Sequence, residues 1–170
     1  PIWERETKDK GNPPLSSQAT VQIIVTEENY HTPEFSQSHM SATIPESHSV
    51  GAIVRTVSAR DRDTAMNGLI RYSISSGNEE GIFAINSSTG VLTLAKALDY
   101  ELCQKHEMTV SATDGGWVSR TGYCSVTVNV IDVNDNSPVF LPDEYFPTVL
   151  ENAPSGTTVI HLNATDADSP

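Results

Sequence analysis

Apolar residues alternate with polar ones in short runs along most of this chain. Met40, Ala42 and Ile44 sit at every second position, the period of a strand with one face in a core. Gly51 opens the run Ala52 to Ala59, and Leu69 to Ile74 makes a third segment. Ile82 to Ile85 and Gly90-Val91-Leu92-Thr93-Leu94 follow. Met108, Val110 and Ala112 mark a sixth strand, and Val126, Val128 and Val130 a seventh. Between them lie Ser76-Gly77-Asn78, Ser87-Ser88-Thr89-Gly90 and Asp114-Gly115-Gly116, residue types that favour turns. No segment has a convincing helical period. Seven short strands in about 100 residues predict an all-β fold, an immunoglobulin-like Greek-key β-sandwich. The short connections predict antiparallel neighbours.

Sliding the chain by 105 residues lays it on itself without a gap. Pro33 and Phe35 fall on Pro138 and Phe140, Glu46 on Glu151, and Gly51 on Gly156. Asp61 and Asp63 fall on Asp166 and Asp168, and Asp9 on Asp114. Val21, Ile23 and Val25 fall on Val126, Val128 and Val130. A repeat of this size is a domain rather than a solenoid turn. The expected organisation is the C-terminal part of one unit over 1–31, a complete unit over 32–136, and the N-terminal part of a third over 137–170. Patterned sequence runs to both ends, as expected of a piece of a longer chain. The link around Asp132 to Pro138 has no Gly/Ser tract, so the units are expected to stack in line through a short polar joint.

Composition narrows the function. The hydrophobic fraction of 37% supports one packed core and leaves little for a second. Acidic residues number 22 against 10 basic ones, a net charge of −12. That balance argues against nucleic acid, whose affinity rests on Lys and Arg neutralising phosphates, and against an anionic membrane surface. No stretch reaches the apolar length that spans a bilayer. Two cysteines, Cys103 and Cys124, are too few for a disulfide scaffold. A hairpin turning near Gly116 sets Cys124 opposite about residue 109, so a bond to Cys103 would require distortion. Asn86-Ser87-Ser88 and Asn163-Ala164-Thr165 match the N-glycosylation acceptor pattern.

The acids are not evenly spread. Asp132-Val133-Asn134-Asp135-Asn136-Ser137-Pro138 sits at the joint, Glu46 follows the first strand, and Asp99 and Glu101 lie between the fifth and sixth. Asp166 and Asp168 end the corresponding strand of the next unit. Oxygen ligands gathered from several segments suit calcium, a hard cation that takes 6–8 oxygens in flexible geometry. Magnesium wants a stricter octahedron and keeps its waters, and zinc would want Cys or His ligands, which do not cluster here.

With these motifs the sequence closely resembles the cadherin superfamily. The family's linker phrase Asp-x-Asn-Asp-Asn-x-Pro stands at Asp132 to Pro138, its first-strand Glu at Glu46, and its Leu-Asp-x-Glu at Leu98 to Glu101. Its Asp-x-Asp stands at Asp61 to Asp63, and Ala-x-Asp-x-Gly at Ala112 to Gly116. The resemblance covers the whole chain in register and looks most like the large Fat-type or related atypical cadherins. It implies tandem repeats of seven strands each, with Ca2+ at the joints. At the second joint it implies that Glu46, Asp99, Glu101, Asp132, Asp135 and the Val133 carbonyl hold two ions, with Asp168 reaching in. Asn134, the Asn136 carbonyl, Asp166 and Asp168 would hold a third, and Asp135 and Asp168 would each bridge two ions.

The first joint departs from the pattern. Glu27 stands for the first Asp, Asn29 is kept, and Tyr30 occupies the position of the bridging Asp. A phenol cannot replace an ionised carboxylate at neutral pH. By the resemblance, Asn29, the His31 carbonyl, Asp61, Asp63, the Asn67 carbonyl and Asp114 could still form one site. The joint is therefore expected to bind fewer ions and bend more. Asp9 and Glu151 belong to joints outside this chain.

The resemblance further implies an extracellular segment of a plasma-membrane protein, with the membrane span outside the fragment. It implies calcium-dependent cell–cell adhesion or recognition, not catalysis. The partners would be adjacent cadherin repeats and another cadherin ectodomain, homophilic or heterophilic, with no nucleic acid and no small-molecule substrate. A calcium-stiffened spacer with no partner surface is the alternative. A paired-carboxylate glycan hydrolase is an alternative of another class, although nothing marks a substrate cleft. Plain turn chemistry of solvated Asp and Asn would also give acidic loops, but not every ligand class at a constant offset. Trp3 aligns with the core position Met108 and is expected to pack in a core. Trp117 is expected to pack within its loop rather than serve as a binding anchor. Cys103-x-x-His106 is a weak metal pattern, and His106 is expected to fill a core-edge position.

Overall fold

The computed structural model describes residues 2–23, 25 and 28–168. Strands β1 (Ile2–Lys8) and β2 (Ser16–Gln22) form an antiparallel hairpin, and from Glu4 through Gln22 every side chain in it is exposed. There follow β3 (Glu34–Phe35), β4 (His39–Pro45), β5 (Ile53–Thr56) and β6 (Ala59–Arg60). A 3-10 turn at Ala65–Gly68 leads to β7 (Arg71–Ser76), β8 (Phe83–Ile85), β9 (Val91–Leu94), β10 (Lys105–Thr113) and β11 (Thr121–Ile131). The short strands β12 (Val139–Phe140) and β13 (Ala164–Thr165) come last.

Two sheets face each other between His39 and Ile131: a four-stranded sheet in the order β4-β11-β10-β7 and a three-stranded one in the order β5-β9-β8. Strand pairs β3-β6 and β12-β13 stand apart. The alternation read from the sequence points inward: Met40, Ile44, Met108, Val110, Ala112, Val126, Val128 and Val130 are buried and meet Phe83, Leu92 and Leu94 of the other sheet. Such a core is stabilised chiefly by apolar area removed from water. Tyr72 of β7 also ties in β6, its phenol oxygen accepting the Ala59 N–H at 2.9 Å.

The seven expected strands are present in these two sheets, with three differences in detail. The edge pair β4–β11 is parallel, Val126 lying against Met40 and Val130 against Ile44. A tight turn forces its two strands antiparallel; β4 and β11 are separated by the whole sandwich and are free of that constraint. The run Ala52 to Ala59 breaks after Thr56. There Val57 turns into the core, its N–H donating to the Gly90 carbonyl at 2.9 Å, and β6 leaves to pair with β3. The third strand starts at Arg71, because Leu69 spends its N–H on Met66 at the end of the 3-10 turn.

The turn before β9 shows the local chemistry. Asn86 Oδ1 accepts the N–H groups of Ser88 and Thr89, each at 3.0 Å. Gly90 then takes φ +69°, and a side chain there would collide with the Val57 carbonyl.

Leu92 is fully buried, whereas Leu102 is exposed. Leu92→Ala is expected to cost about 2–5 kcal/mol of unfolding free energy, and Leu102→Ala to stay within about 0.5 kcal/mol. Urea unfolding of the two variants measures the contrast.

Candidate metal centre

The parallel pairing of β4 with β11 ends both strands side by side, Ile131 against Pro45. The next residue of β4's chain is Glu46, whose N–H donates to the Ile131 carbonyl at 3.0 Å. Its side chain is directed inward, leaving the residue only 6% exposed. Oε1 accepts the Val133 N–H at 2.8 Å and Oε2 the Tyr100 N–H at 2.7 Å. A buried carboxylate is costly unless such bonds replace its water. Glu46 thereby ties the strand end, the Asp99–Glu101 loop and the linker together.

Two groups of carboxylates gather on this frame. Glu46, Glu101 and Asp132 each bring an oxygen within 4.8 Å of the others, and so do Glu101, Asp135 and Asp168. Glu101 belongs to both. Asp168 arrives from beyond β13 and is held by Asn136, whose backbone N–H donates to its Oδ2 at 3.0 Å and whose Nδ2 donates to its Oδ1 at 2.8 Å. Asn136 Nδ2 also donates to Asp135 Oδ1 at 3.0 Å. The crowding has an electrostatic signature. The Glu101 carboxyl feels a lowering hydrogen bond from its own backbone N–H, but desolvation and the charges of Glu46, Asp132 and Asp135 outweigh it and hold the group above its ordinary value. Asp135 is also raised, by desolvation first and then by Glu46, Asp168, Asp132 and Asp99.

The first joint repeats this geometry at the 105-residue offset. Asp63 Oδ2 accepts the N–H groups of Tyr30 and His31 at 2.9 and 2.8 Å, as Asp168 accepts that of Asn136. Asp63 N–H donates to Asp61 Oδ1 at 2.8 Å, as Asp168 N–H does to Asp166 Oδ1 at 3.1 Å. Buried Asp114 closes its own loop, accepting the N–H of Gly116 at 3.0 Å and of Arg120 at 3.1 Å, and also Asn29 Nδ2 at 2.9 Å. Asp9 does the same in the first hairpin, accepting the N–H groups of Gly11 and Leu15. A side chain at Gly116 would run into the Asn29 amide. Asn29 Oδ1 and Asp61 Oδ2 are both buried and accept no hydrogen bond. Buried oxygens in that state ask for a ligand, and with Asp63 and Asp114 beside them the donor set is all oxygen, as a hard cation requires.

Other expected residues fall at the margins. Asp99 Oδ1 accepts the Leu102 N–H at 2.8 Å, and Asp99 stays outside both carboxylate groups. Asn134, Glu151, Asn86 and Asn163 are exposed, and Asn67 is half-buried. Glu27 lies outside the described residues, and so does the Trp3 side chain. Cys124 pairs with Val110 across β10–β11, one position from the expected register, and both thiols are free. Burial pushes the Cys124 thiol up. His106 fills a core edge against Phe83, ring centroids 5.3 Å apart, and burial lowers its pKa. Trp117 corrects the sequence reading: it packs against nothing in its loop and is fully exposed. The role of Tyr100 was not legible either, because its contribution is a backbone N–H, which any residue carries.

The cadherin-domain family model matches residues 40–131, the span that builds both sheets and Glu46. The chain belongs to the cadherin family. It is 93% identical over 162 residues to human protocadherin Fat 4, covering 95% of this chain and 3% of that protein. It is 43% identical to human cadherin EGF LAG seven-pass G-type receptor 1, over 96% of this chain and 6% of that protein. The crystal structure of mouse cadherin-23 EC22-24 superposes with a TM-score of 0.79 at 32% identity, covering 99% of this chain and 54% of that one. The likeness is thus of the Fat type. Cadherin repeats are modules of extracellular adhesion proteins and not enzymes, which removes the glycan-hydrolase alternative.

The raised carboxyls set a pH dependence. A group whose folded pKa lies above its unfolded one stabilises the fold fully below the unfolded value and loses that contribution as pH rises through the folded value. In chelator, acidification into the range just above the ordinary 4.5 of Glu101 and 3.8 of Asp135 should therefore raise the share these two contribute to the joint. Melting curves in pH steps should flatten over that range in a Glu101→Gln, Asp135→Asn double variant.

Proposed function

We propose that this cadherin segment is a calcium-stiffened stretch of a cell–cell adhesion ectodomain, made of one complete repeat over 32–136 between parts of two others. The observation that carries the reading is that Glu101 belongs to both carboxylate groups, so one set of charges runs from Glu46 to Asp168. Without a cation these carboxylates repel one another across the joint. A divalent cation supplies the countercharge, and Glu101, Asp132, Asp135 and Asp168 are the residues that would hold it, with Glu46 fixing the loop and linker that present them. The half-empty oxygen set of Asn29, Asp61, Asp63 and Asp114 supports one further site at the first joint. Tyr30 takes the place of a bridging carboxylate there, so this joint binds fewer ions.

On this reading the segment belongs to a plasma-membrane protein, and its partners are the adjacent repeats and another cadherin ectodomain, homophilic or heterophilic. A spacer without a partner surface is the second reading. Aggregation of beads coated with this segment separates the two.

Extracellular calcium modules bind at about 10⁻⁴–10⁻³ M. At 10 mM calcium a site of that class adds about 1.4–2.7 kcal/mol by mass action. The melting midpoint should rise in calcium, not in equimolar magnesium, and the rise should be lost in Asp135→Ala. An equal rise in magnesium would sink the calcium reading. For the first joint, native mass spectrometry of a chain with both flanking repeats complete should count fewer ions than at the second. Equal counts would contradict the role given to Tyr30.

A further inference from the structure

Tyr30 holds the linker position that Asp135 holds 105 residues later, and it is 62% exposed. The exposure belongs to the position. At the first joint the complete sandwich follows the linker; at the second it precedes the linker, and Asp135 is exposed there too. Neither a complete following sandwich nor a complete preceding one covers this residue. Residues 28–33 form no helix or strand. The main chain is nevertheless held, since the Tyr30 and His31 N–H groups donate to Asp63 and Asn29 Nδ2 donates to Asp114. Acids flank the ring in sequence: Glu27 and Glu28 precede it, and Glu34 follows. Glu28 and Glu34 are exposed.

The other four tyrosines each lack part of this setting. Tyr72 is buried, and Tyr100 packs against the core. Tyr123 lies within β11 with no acid beside it. Tyr145 has acidic neighbours but matches Met40 at the 105-residue offset, a buried core position. Enzymes that place sulfate on tyrosine in the secretory pathway work with basic clefts, which select a solvent-exposed phenol among carboxylates.

We propose that Tyr30 is a tyrosine O-sulfation site, and that the sulfate returns to the first joint the anion that Asp135 provides at the second. The site rests on the extracellular reading, and the role of the sulfate rests on the calcium reading. The donor is an activated sulfate, a mixed anhydride of sulfuric and phosphoric acid. Its bond from sulfur to the bridging oxygen breaks, the phenol oxygen bonds to sulfur, the phosphate leaves, and the phenol proton passes to a base of the transferase. Nothing is oxidised or reduced. The phenol is neutral at physiological pH, whereas a sulfate monoester is ionised there and offers hard oxygen donors of the kind calcium takes. Asp63, which accepts the Tyr30 N–H, stands beside it as Asp168 stands beside Asp135. Sulfation therefore sets the ion count of the first joint after synthesis, a control that the Asp135 joint does not have.

The test secretes the parent ectodomain from cells that carry tyrosine sulfotransferase, with and without chlorate, which blocks formation of the activated sulfate. The peptide holding Tyr30 should gain one SO3. The gain should resist phosphatase and disappear in chlorate and in Tyr30→Phe. Purified transferase with activated sulfate should modify the folded 170-residue chain as well, and Glu28→Lys should slow that transfer several-fold. An unmodified Tyr30 peptide from the secreted ectodomain overturns the proposal, and a gain removed by phosphatase overturns it in favour of phosphate. The role is read on a chain with both flanking repeats complete. In native mass spectrometry its sulfated form should carry more calcium ions than Tyr30→Phe, with a larger calcium-induced rise in melting midpoint. Equal ion counts, with the sulfate in place, overturn the role alone. No calcium at the first joint in either form defeats the calcium reading of that joint together with the role.

Discussion

The carboxylate of Glu46 is the constraint on which the second joint depends. It is buried at the end of a strand, and each of its oxygens is occupied by a backbone N–H from a different segment. Removing either acceptor would strand a buried donor, and removing both donors would strand a buried charge. The linker therefore leaves the sandwich in one direction only. Asp132 and Asp135 are presented beside Glu101 because Val133 is pinned to Glu46. The core supplies the other half of the constraint. Parallel pairing of β4 with β11, with Val126, Val128 and Val130 packed against the opposing sheet, brings the two strand ends to the same level.

The joints show how one geometry is reused with different chemistry. Asp63 and Asp168 each accept the backbone N–H at the equivalent linker position, His31 and Asn136, and Asp63 accepts that of Tyr30 as well. At the second joint the neighbouring side chains are acids, crowded enough to raise Asp135 and Glu101. Such crowding is relieved when a proton or a cation supplies countercharge. At the first joint Tyr30 breaks the series, and Asn29 and Asp61 keep two buried oxygens without a donor.

The acidic composition fits this division of labour. A net charge of −12 keeps the surface soluble and repels like chains at long range. Against that charge, Trp117 and Val118 are large apolar side chains left exposed in one loop.

Much of this was written in the sequence. Period-2 runs identified the strands because alternation follows from the pleat alone, and the 105-residue offset paired Asp61 and Asp63 with Asp166 and Asp168, whose turns share the same hydrogen bond. The Asp61–Asp63 turn and the Asp114 loop are local in the same sense, each Asp bonding to N–H groups within six residues. What the sequence left open depends on residues far apart. The parallel direction of β4 and β11 is settled by packing across the whole sandwich, since no turn joins them. The break after Thr56 follows from Val57 entering the core. That Glu101 stands in both carboxylate groups while one oxygen of Asp99 caps its own turn depends on how the loop packs against the linker. The exposure of Trp117 was unreadable because alternation describes strands, and a loop side chain is placed only by what the folded neighbours leave around it.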